Sequence, residues 1–338
     1  MFKLFRLFLL FCFFVLLAAG ICVGYHIREA ALYKNPQETV IEIHKGLGPR
    51  AIAKKLAAQQ IIRHWLDLEV YLRTKKKSHL LKAGEYVFEQ GLSLESVVEK
   101  MVSGKVRRYK VTIPEGYNLT DVCNLFAQKG LVDRDTCLQL TRRVDWLKDS
   151  SAAVTLEGYL FPETYLYEKR TTPEELFKQM TAQFYKKLGE ERFIKAKQKG
   201  LSVHDLVTFA SVVEKETGLG SERPLIAGVF YNRLKIGMLL QSDPTVIYGI
   251  SNFNGNLTRA DLTTDSPYNT YTRPGLPVGP ICNPGILSID AVLNPTTTDY
   301  LYFVAKGDGS HYFSRSLAEH NRAVNDYQRS RKKQTEPL

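Results

Sequence analysis

Residues 204–220 read HDLVTFASVVEKETGLG, and no other stretch restricts the fold so tightly. Leu206, Val207, Phe209, Ala210, Val212 and Val213 form a nearly continuous apolar run. A helix with this spacing is apolar on most sides, so it has to be buried and the rest of its domain has to surround it. The run ends on Glu214 and Glu216 and then on Gly218 and Gly220. That order predicts a glycine stop with an acid at the exposed end of the helix. A carboxyl in such a place sits partly in low dielectric, which favours its neutral form. If it stays protonated near neutral pH it can donate a proton in catalysis. The plainer reading is a helix ending in solvated charges.

Glutamates at i and i+2 of a helix point to different sides, so Glu214 and Glu216 do not readily flank one bond. One is expected to do chemistry and the other to be structural or solvated. Glu216 is in line with Phe209 and Val213, and Glu214 follows Val207, Ala210 and Ser211. Because most faces are apolar, spacing leaves both candidates open.

The chain of 338 residues starts with Lys3 and Arg6, followed by a charge-free run over residues 7–24. The run is long enough to span a bilayer, and the leading cations favour a cytoplasmic N-terminus with everything after about residue 28 on the far side. Ile21 stands where a lipoprotein signal before Cys22 would want a small residue. Alternating ETVIEIHKG and AGEYVFEQG predict strands, with helices between and after them. The expected organisation is a cytoplasmic tip and transmembrane anchor over 1–28, a small α+β unit over 36–105, a second over 106–150, a mixed domain over 155–328 and a basic tail over 329–338. The second unit weakly repeats the strand–glycine–helix order of the first. Such units are similar to LysM-like domains, which bind cell-wall glycan; a generic α+β spacer is the alternative.

The net charge of +11 suits nucleic acid, anionic lipid or an acidic polymer, and no nucleic-acid motif accompanies it. No C-x-x-C pair and no H-E-x-x-H spacing occurs, so no metal is expected. P-loop and G-x-S-x-G motifs are absent too, and no cofactor is expected. Residues 307–311, GDGSH, read as a hairpin turn. Cys123 and Cys137 pair or stay as buried thiols; spacing does not decide.

Past residue 240 the composition turns loop-rich, with Gly and Pro punctuating what read as short strands. These loops carry Gln241, Asp243, Tyr248, Tyr268, Asn269, Tyr271 and Asn283, and Glu163 lies in the aromatic segment GYLFPETY. Amide, carboxylate and aromatic groups together suit a sugar, since they bond hydroxyl and acetamido groups and stack on apolar sugar faces. Ordinary turn chemistry accounts for the Asn, Asp, Gly and Pro residues as well. Glycosidic cleavage needs an acid at the leaving oxygen and usually a second carboxylate. A single acid suffices where the sugar supplies the nucleophile. In a muramyl residue the C6 hydroxyl can attack the anomeric carbon of its own ring, leaving a 1,6-anhydro end.

VVEKETG, FYNRLKIGMLLQSDPTVIYG, YNTYTRPGLPVGPICNPG, YLYFVAKGDGSHYF and GYLFPETY together resemble the YceG-like endolytic murein transglycosylases. The resemblance is dense over 155–325 and thinner over 38–150. It implies an α+β protein with an N-terminal transmembrane helix, a LysM-like region and a catalytic domain with a glutamate-bearing helix and a loop-rich β portion. It implies a lyase that cuts nascent peptidoglycan strands internally, at the MurNAc–GlcNAc bond, on the outer face of a bacterial inner membrane. Implied partners are glycan strands, membrane lipid and peptidoglycan synthases (penicillin-binding proteins). Glu216, the second glutamate of the E-K-E-T motif, is the implied acid, with Glu214 as runner-up. Glu163, Gln241, Asp243, Tyr268, Asn269, Tyr271 and Asn283 are the implied glycan-binding set. A hydrolytic muramidase using Asp243 or Glu163, and a non-catalytic scaffold for synthases, are the rival expectations.

Overall fold

The computed structural model describes residues 2–148 and 152–329, so the expected basic tail lies outside the described residues from position 330 on. The chain divides into two compact units, residues 2–110 with Leu166–Thr171, and Val111–Tyr165 with residues 172–329.

The first unit opens with α1 (Phe2–Leu32). Its segment Arg6–Tyr25 is long and apolar enough to cross a membrane, and none of it is buried in the protein. Then follow β1 (Thr39–Ile43), α2 (Pro49–Ala58), α3 (Trp65–Thr74), β2 (Gly84–Phe88) and α4 (Leu94–Ser103). Proline at the first helical position starts α2. His64 and Asp67 form a capping box at α3, and Ser93 caps α4, which Gly104 ends in the left-handed conformation at φ 73°. β1 and β2 pair antiparallel with Ile41 opposite Tyr86. Their alternation buries Ile41, Ile43, Tyr86 and Phe88 against Ile52, Leu56, Leu68 and Val97. Each such side chain contributes about 1.5–3 kcal/mol on burial.

The elements that follow are β3 (Tyr109–Thr112), α5 (Leu119–Gln128), α6 (Arg134–Leu140), β4 (Thr164–Tyr167), α7 (Pro173–Gln198) and α8 (Val203–Glu216). Next come α9 (Arg223–Lys235), α10 (Asp243–Gly249), α11 (Arg259–Thr263), α12 (Ile286–Leu293), β5 (Tyr302–Ala305), β6 (His311–Ser314) and α13 (Leu317–Val324). β3 pairs with β4, and β5 with β6 antiparallel. A Cys123–Cys137 disulfide ties α5 to α6, settling a pairing that spacing left open. α8 starts at a Ser202–Asp205 capping box and is buried from Leu206 through Glu214. α9 and α12 pack against it.

Two local expectations are corrected, at the end of α8 and over residues 243–249. α8 does not end on a glycine: Thr217, buried and extended at φ −144°, ψ 137°, turns the chain directly after Glu216. α9 has Glu222 at its N-cap, and that side chain does not cap the helix. Residues 243–249 form α10 instead of a strand, because Asp243-Pro244 opens a helix and Thr245 and Val246 supply its buried face.

Candidate active site

Glu214 and Glu216 leave α8 on different sides and meet opposite surroundings. The Glu214 carboxylate is buried and fully engaged. Arg223 Nη2 lies 2.7 Å from Oε1, and Oε2 accepts from the Gly285 N–H at 3.0 Å and Ser288 Oγ at 2.7 Å. A Cβ at residue 285 would meet the end of the Glu115 side chain, which would have to swing aside. A carboxylate with a buried cation and two further donors is a structural tie between α8, α9 and α12.

Glu216, half-buried, has one hydrogen bond among the described residues, accepted from Ser242 Oγ. Burial pushes its carboxyl up from the usual 4.5 to about 7; the Ser242 bond opposes the rise, the nearby Asp243 charge adds to it and Arg233 opposes it. Its place at the C-terminal end of α8, where backbone carbonyls disfavour a negative charge, acts in the same sense as burial. Ser242 is held in turn, its N–H donating to Thr270 Oγ1 at 3.0 Å and its carbonyl accepting from Thr245 Oγ1 at 2.7 Å. The preceding Gln241 takes a left-handed backbone at φ 50°, uncommon for a residue with a side chain.

Glu216 opens into a cavity of about 460 Å³, which Gln241, Asp243 and Tyr271 also line. The Tyr271 hydroxyl donates to Asp243 Oδ1. The cavity is also lined by Arg233, Tyr302, His311 and His320, which sequence reasoning missed. Arg233 is buried, its guanidinium donating to the carbonyls of Leu301, Leu239 and Leu240 at 2.7–3.2 Å and stacking on Tyr302. Burial lowers its pKa, and burial with the Arg233 charge lowers that of His320. Among the described residues no group of three His, Cys, Asp or Glu is placed to hold a metal ion.

Four of the expected residues lie elsewhere in the domain. Glu163 accepts from Gln183 Nε2 at 2.5 Å and lies 3.7 Å from Lys187 Nζ. Tyr268 packs edge-on to Tyr248, whose hydroxyl donates to the buried Glu157. Asn269 is buried and shapes its own turn, donating to the carbonyls of Leu262 and Thr264 and accepting from the Tyr271 N–H. Asn283 is buried and accepts from the Leu160 N–H while donating to the Tyr117 carbonyl. These amides satisfy backbone groups, as turn chemistry demands of Asn. Glu157, with almost no exposure, is pushed by burial up to about 8 and accepts from the Leu119 N–H.

A buried helix that carries one raised carboxyl into a polar, aromatic-lined cleft is the arrangement of an acid-catalysing site. Comparison with known proteins makes this more specific: residues 41–326 match the YceG-like family, and the chain belongs to it. A Bacillus subtilis protein named endolytic murein transglycosylase is 35% identical, over 87% of this chain and 86% of its own length. A Streptococcus pneumoniae protein of the same name is 32% identical over 94% of this chain, which spans 64% of that longer protein. A crystal structure of a yceG-like protein from Listeria monocytogenes matches 85% of this chain and 98% of its own at 33% identity, with a TM-score of 0.59.

Proposed function

We propose that this chain is a membrane-anchored lytic transglycosylase that cuts peptidoglycan strands internally, with Glu216 as the acid. The observation that carries the proposal is the contrast at the end of α8. Glu214 is committed to Arg223, Gly285 and Ser288, whereas Glu216 faces the cavity with its carboxyl raised to about 7. A group with that affinity for its proton can protonate a leaving oxygen near neutral pH. The bond cleaved is the MurNAc–GlcNAc β-1,4 link. Glu216 gives its proton to the departing GlcNAc O4, and the C6 hydroxyl of the muramyl ring attacks C1. The attacking group is held in the same ring, so the step gains from effective concentration. The product is a 1,6-anhydromuramyl end and no water is consumed.

Gln241, Asp243 and Tyr271 are the residues proposed to contact the strand, because they share the cavity with Glu216. The apolar helix α1 supports a single-pass anchor in the bacterial inner membrane, with the catalytic unit outside the cytoplasm and close to peptidoglycan synthases. The β–α–α–β order of β1, α2, α3 and β2 supports a LysM-like, glycan-binding reading of the first unit. The Cys123–Cys137 bond is in keeping with an oxidising compartment.

The test is mass spectrometry of uncrosslinked glycan strands digested by the purified protein and by Glu216→Gln. Internal cuts with anhydro ends that vanish in the variant support the reading. Reducing ends would replace it with a hydrolase in which Asp243 activates water. Binding without cleavage would replace it with a scaffold.

A further inference from the structure

The cavity that Glu216 lines holds a second proton-handling arrangement. His311, at the start of β6, places its Nδ1 2.7 Å from Glu222 Oε2, and its backbone N–H donates to Glu222 Oε1 at 3.0 Å. An ionised carboxylate only accepts, so Nδ1 carries the hydrogen and Nε2 is left as the lone-pair nitrogen. Nε2 has no partner among the described residues, is open to solvent, and belongs to a ring that lines the cavity. Phe303 of β5 meets the ring edge-on at 5.5 Å, and Phe313 of β6 lies at 6.4 Å. Side-chain exposure is 11% for His311 and 16% for Glu222, so the pair is held rather than waving in solvent. This explains why Glu222, although it stands at the N-cap of α9, caps nothing: both its oxygens are bonded to residue 311. A base oriented by a carboxylate, facing a cavity that holds an acid, is the geometry of a two-group proton relay.

We propose that His311, positioned by Glu222, is the base that receives the C6-hydroxyl proton while Glu216 protonates the leaving oxygen. The proposal rests on the transglycosylase reading and refines it, since a lone Glu216 would otherwise serve as acid and then as base. In the step, the Glu216 proton moves to O4 as the C1–O4 bond breaks. O6 bonds to C1 and its proton passes to Nε2. The imidazolium formed is stabilised by the Glu222 carboxylate. After release, His311 returns its proton to solvent and Glu216 takes one up, so nothing is consumed. Besides Glu222, the titratable or charged groups of the cavity are Glu216, Asp243, Arg233, Tyr271, Tyr302 and His320.

The two schemes differ in their pH dependence. If Glu216 acts alone, kcat/KM falls only on the alkaline side, where its proton is lost. With His311 as base, the profile has an acid limb as well, where Nε2 becomes protonated. The experiment follows anhydro-end formation by the detergent-solubilised full chain on uncrosslinked strands, from about pH 5 to about pH 9. The expected result is a two-limbed wild-type profile. His311→Gln should lower kcat about 100-fold or more, with KM little changed, and should remove the acid limb. His320→Gln should keep that limb, and added imidazole should restore part of the kcat of His311→Ala. Glu222→Gln removes the charge and leaves only one of the two acceptor oxygens, and should lower kcat with KM held. A wild type without an acid limb, or His311→Gln with wild-type kcat, overturns the proposal, and the wild-type profile decides even if a variant does not fold. Anhydro ends that depend on Glu216 but not on His311 would sink this inference alone. Anhydro ends that persist in Glu216→Gln would sink the reading beneath it.

Discussion

Replacing Glu216 by glutamine should stabilise the protein at alkaline pH while abolishing its activity. The substitution keeps the shape of the side chain and an oxygen to accept from Ser242, and removes only the ability to ionise. The folded-state pKa of about 7 lies above the usual 4.5. The native state therefore holds its proton more tightly than the unfolded chain, and the contribution is fully favourable below about 4.5 and lost as pH rises through about 7. The difference, at about 1.36 kcal/mol per pH unit, is roughly 3 kcal/mol. That is an upper bound, because the cavity admits water. Glutamine escapes the penalty, so the variant should exceed the wild type by up to about 3 kcal/mol near pH 8.5 and match it near pH 4.5. For a domain of about 200 residues each kcal/mol moves Tm by about 2–4 °C. Thermal unfolding of both proteins at the two pH values measures it. A difference independent of pH, or a wild type more stable at alkaline pH, would refute the burial argument for Glu216.

Glu214→Gln should destabilise by up to about 3–5 kcal/mol, because it leaves the buried Arg223 with only the longer contact to the exposed Glu115 carboxylate, seen as a lower midpoint in urea unfolding. Ser242→Ala removes the bond that lowers the Glu216 pKa, so the alkaline limb of kcat/KM should move to higher pH; a shift the other way would exclude Ser242 as a donor to the carboxylate. Cys123→Ser should destabilise the catalytic unit by roughly 3 kcal/mol, as expected for opening a loop of this length, and added reductant should mimic it in the wild type. Gly158→Ala should destabilise by more than about 1 kcal/mol, since residue 158 has φ +86° and a Cβ would come within 2.5 Å of Val207 and 2.7 Å of Pro280.

What could be read from the chain is what periodicity and local chemistry encode. The alternation of ETVIEIHKG and AGEYVFEQG places Ile41, Ile43, Tyr86 and Phe88 on one face, and β1 and β2 bury that face. The nearly continuous apolar run of residues 206–213 needs a core on most sides, and α8 lies in one. The cavity wall was hidden because it is built by contacts between distant residues. Glu222 and His311 are 89 positions apart, and Arg233 reaches the carbonyl of Leu301 across 68. In the sequence His311 reads only as part of a hairpin turn, and it does begin the strand after that turn; the carboxylate that meets its ring is far away in sequence. Asn269 and Asn283 show the opposite error. Their residue type suits a sugar equally well, but a buried turn needs its carbonyls and N–H groups satisfied first, and both side chains are spent there.

Two carboxylates at the end of one helix have been given different work by what faces them. Both stand where backbone carbonyls oppose a negative charge. At Glu214 that cost is offset by a buried guanidinium, a backbone N–H and a hydroxyl. At Glu216 the only donor among the described residues is a neutral hydroxyl, Asp243 is a like charge beside it, and Arg233 already donates to three carbonyls. The Glu216 proton is therefore retained near neutral pH but is not locked in by an ion pair, as an acid that must give up its proton and recover it requires. Gln241, one residue before Ser242, is held in a left-handed conformation where strain has to be sustained by the surrounding structure, here the Gln241 N–H bond to the Thr270 carbonyl and the Thr245–Thr270 hydroxyl contact. The arrangement fixes the one donor that tunes Glu216, so a change at Thr270 should be felt at the acid without touching it.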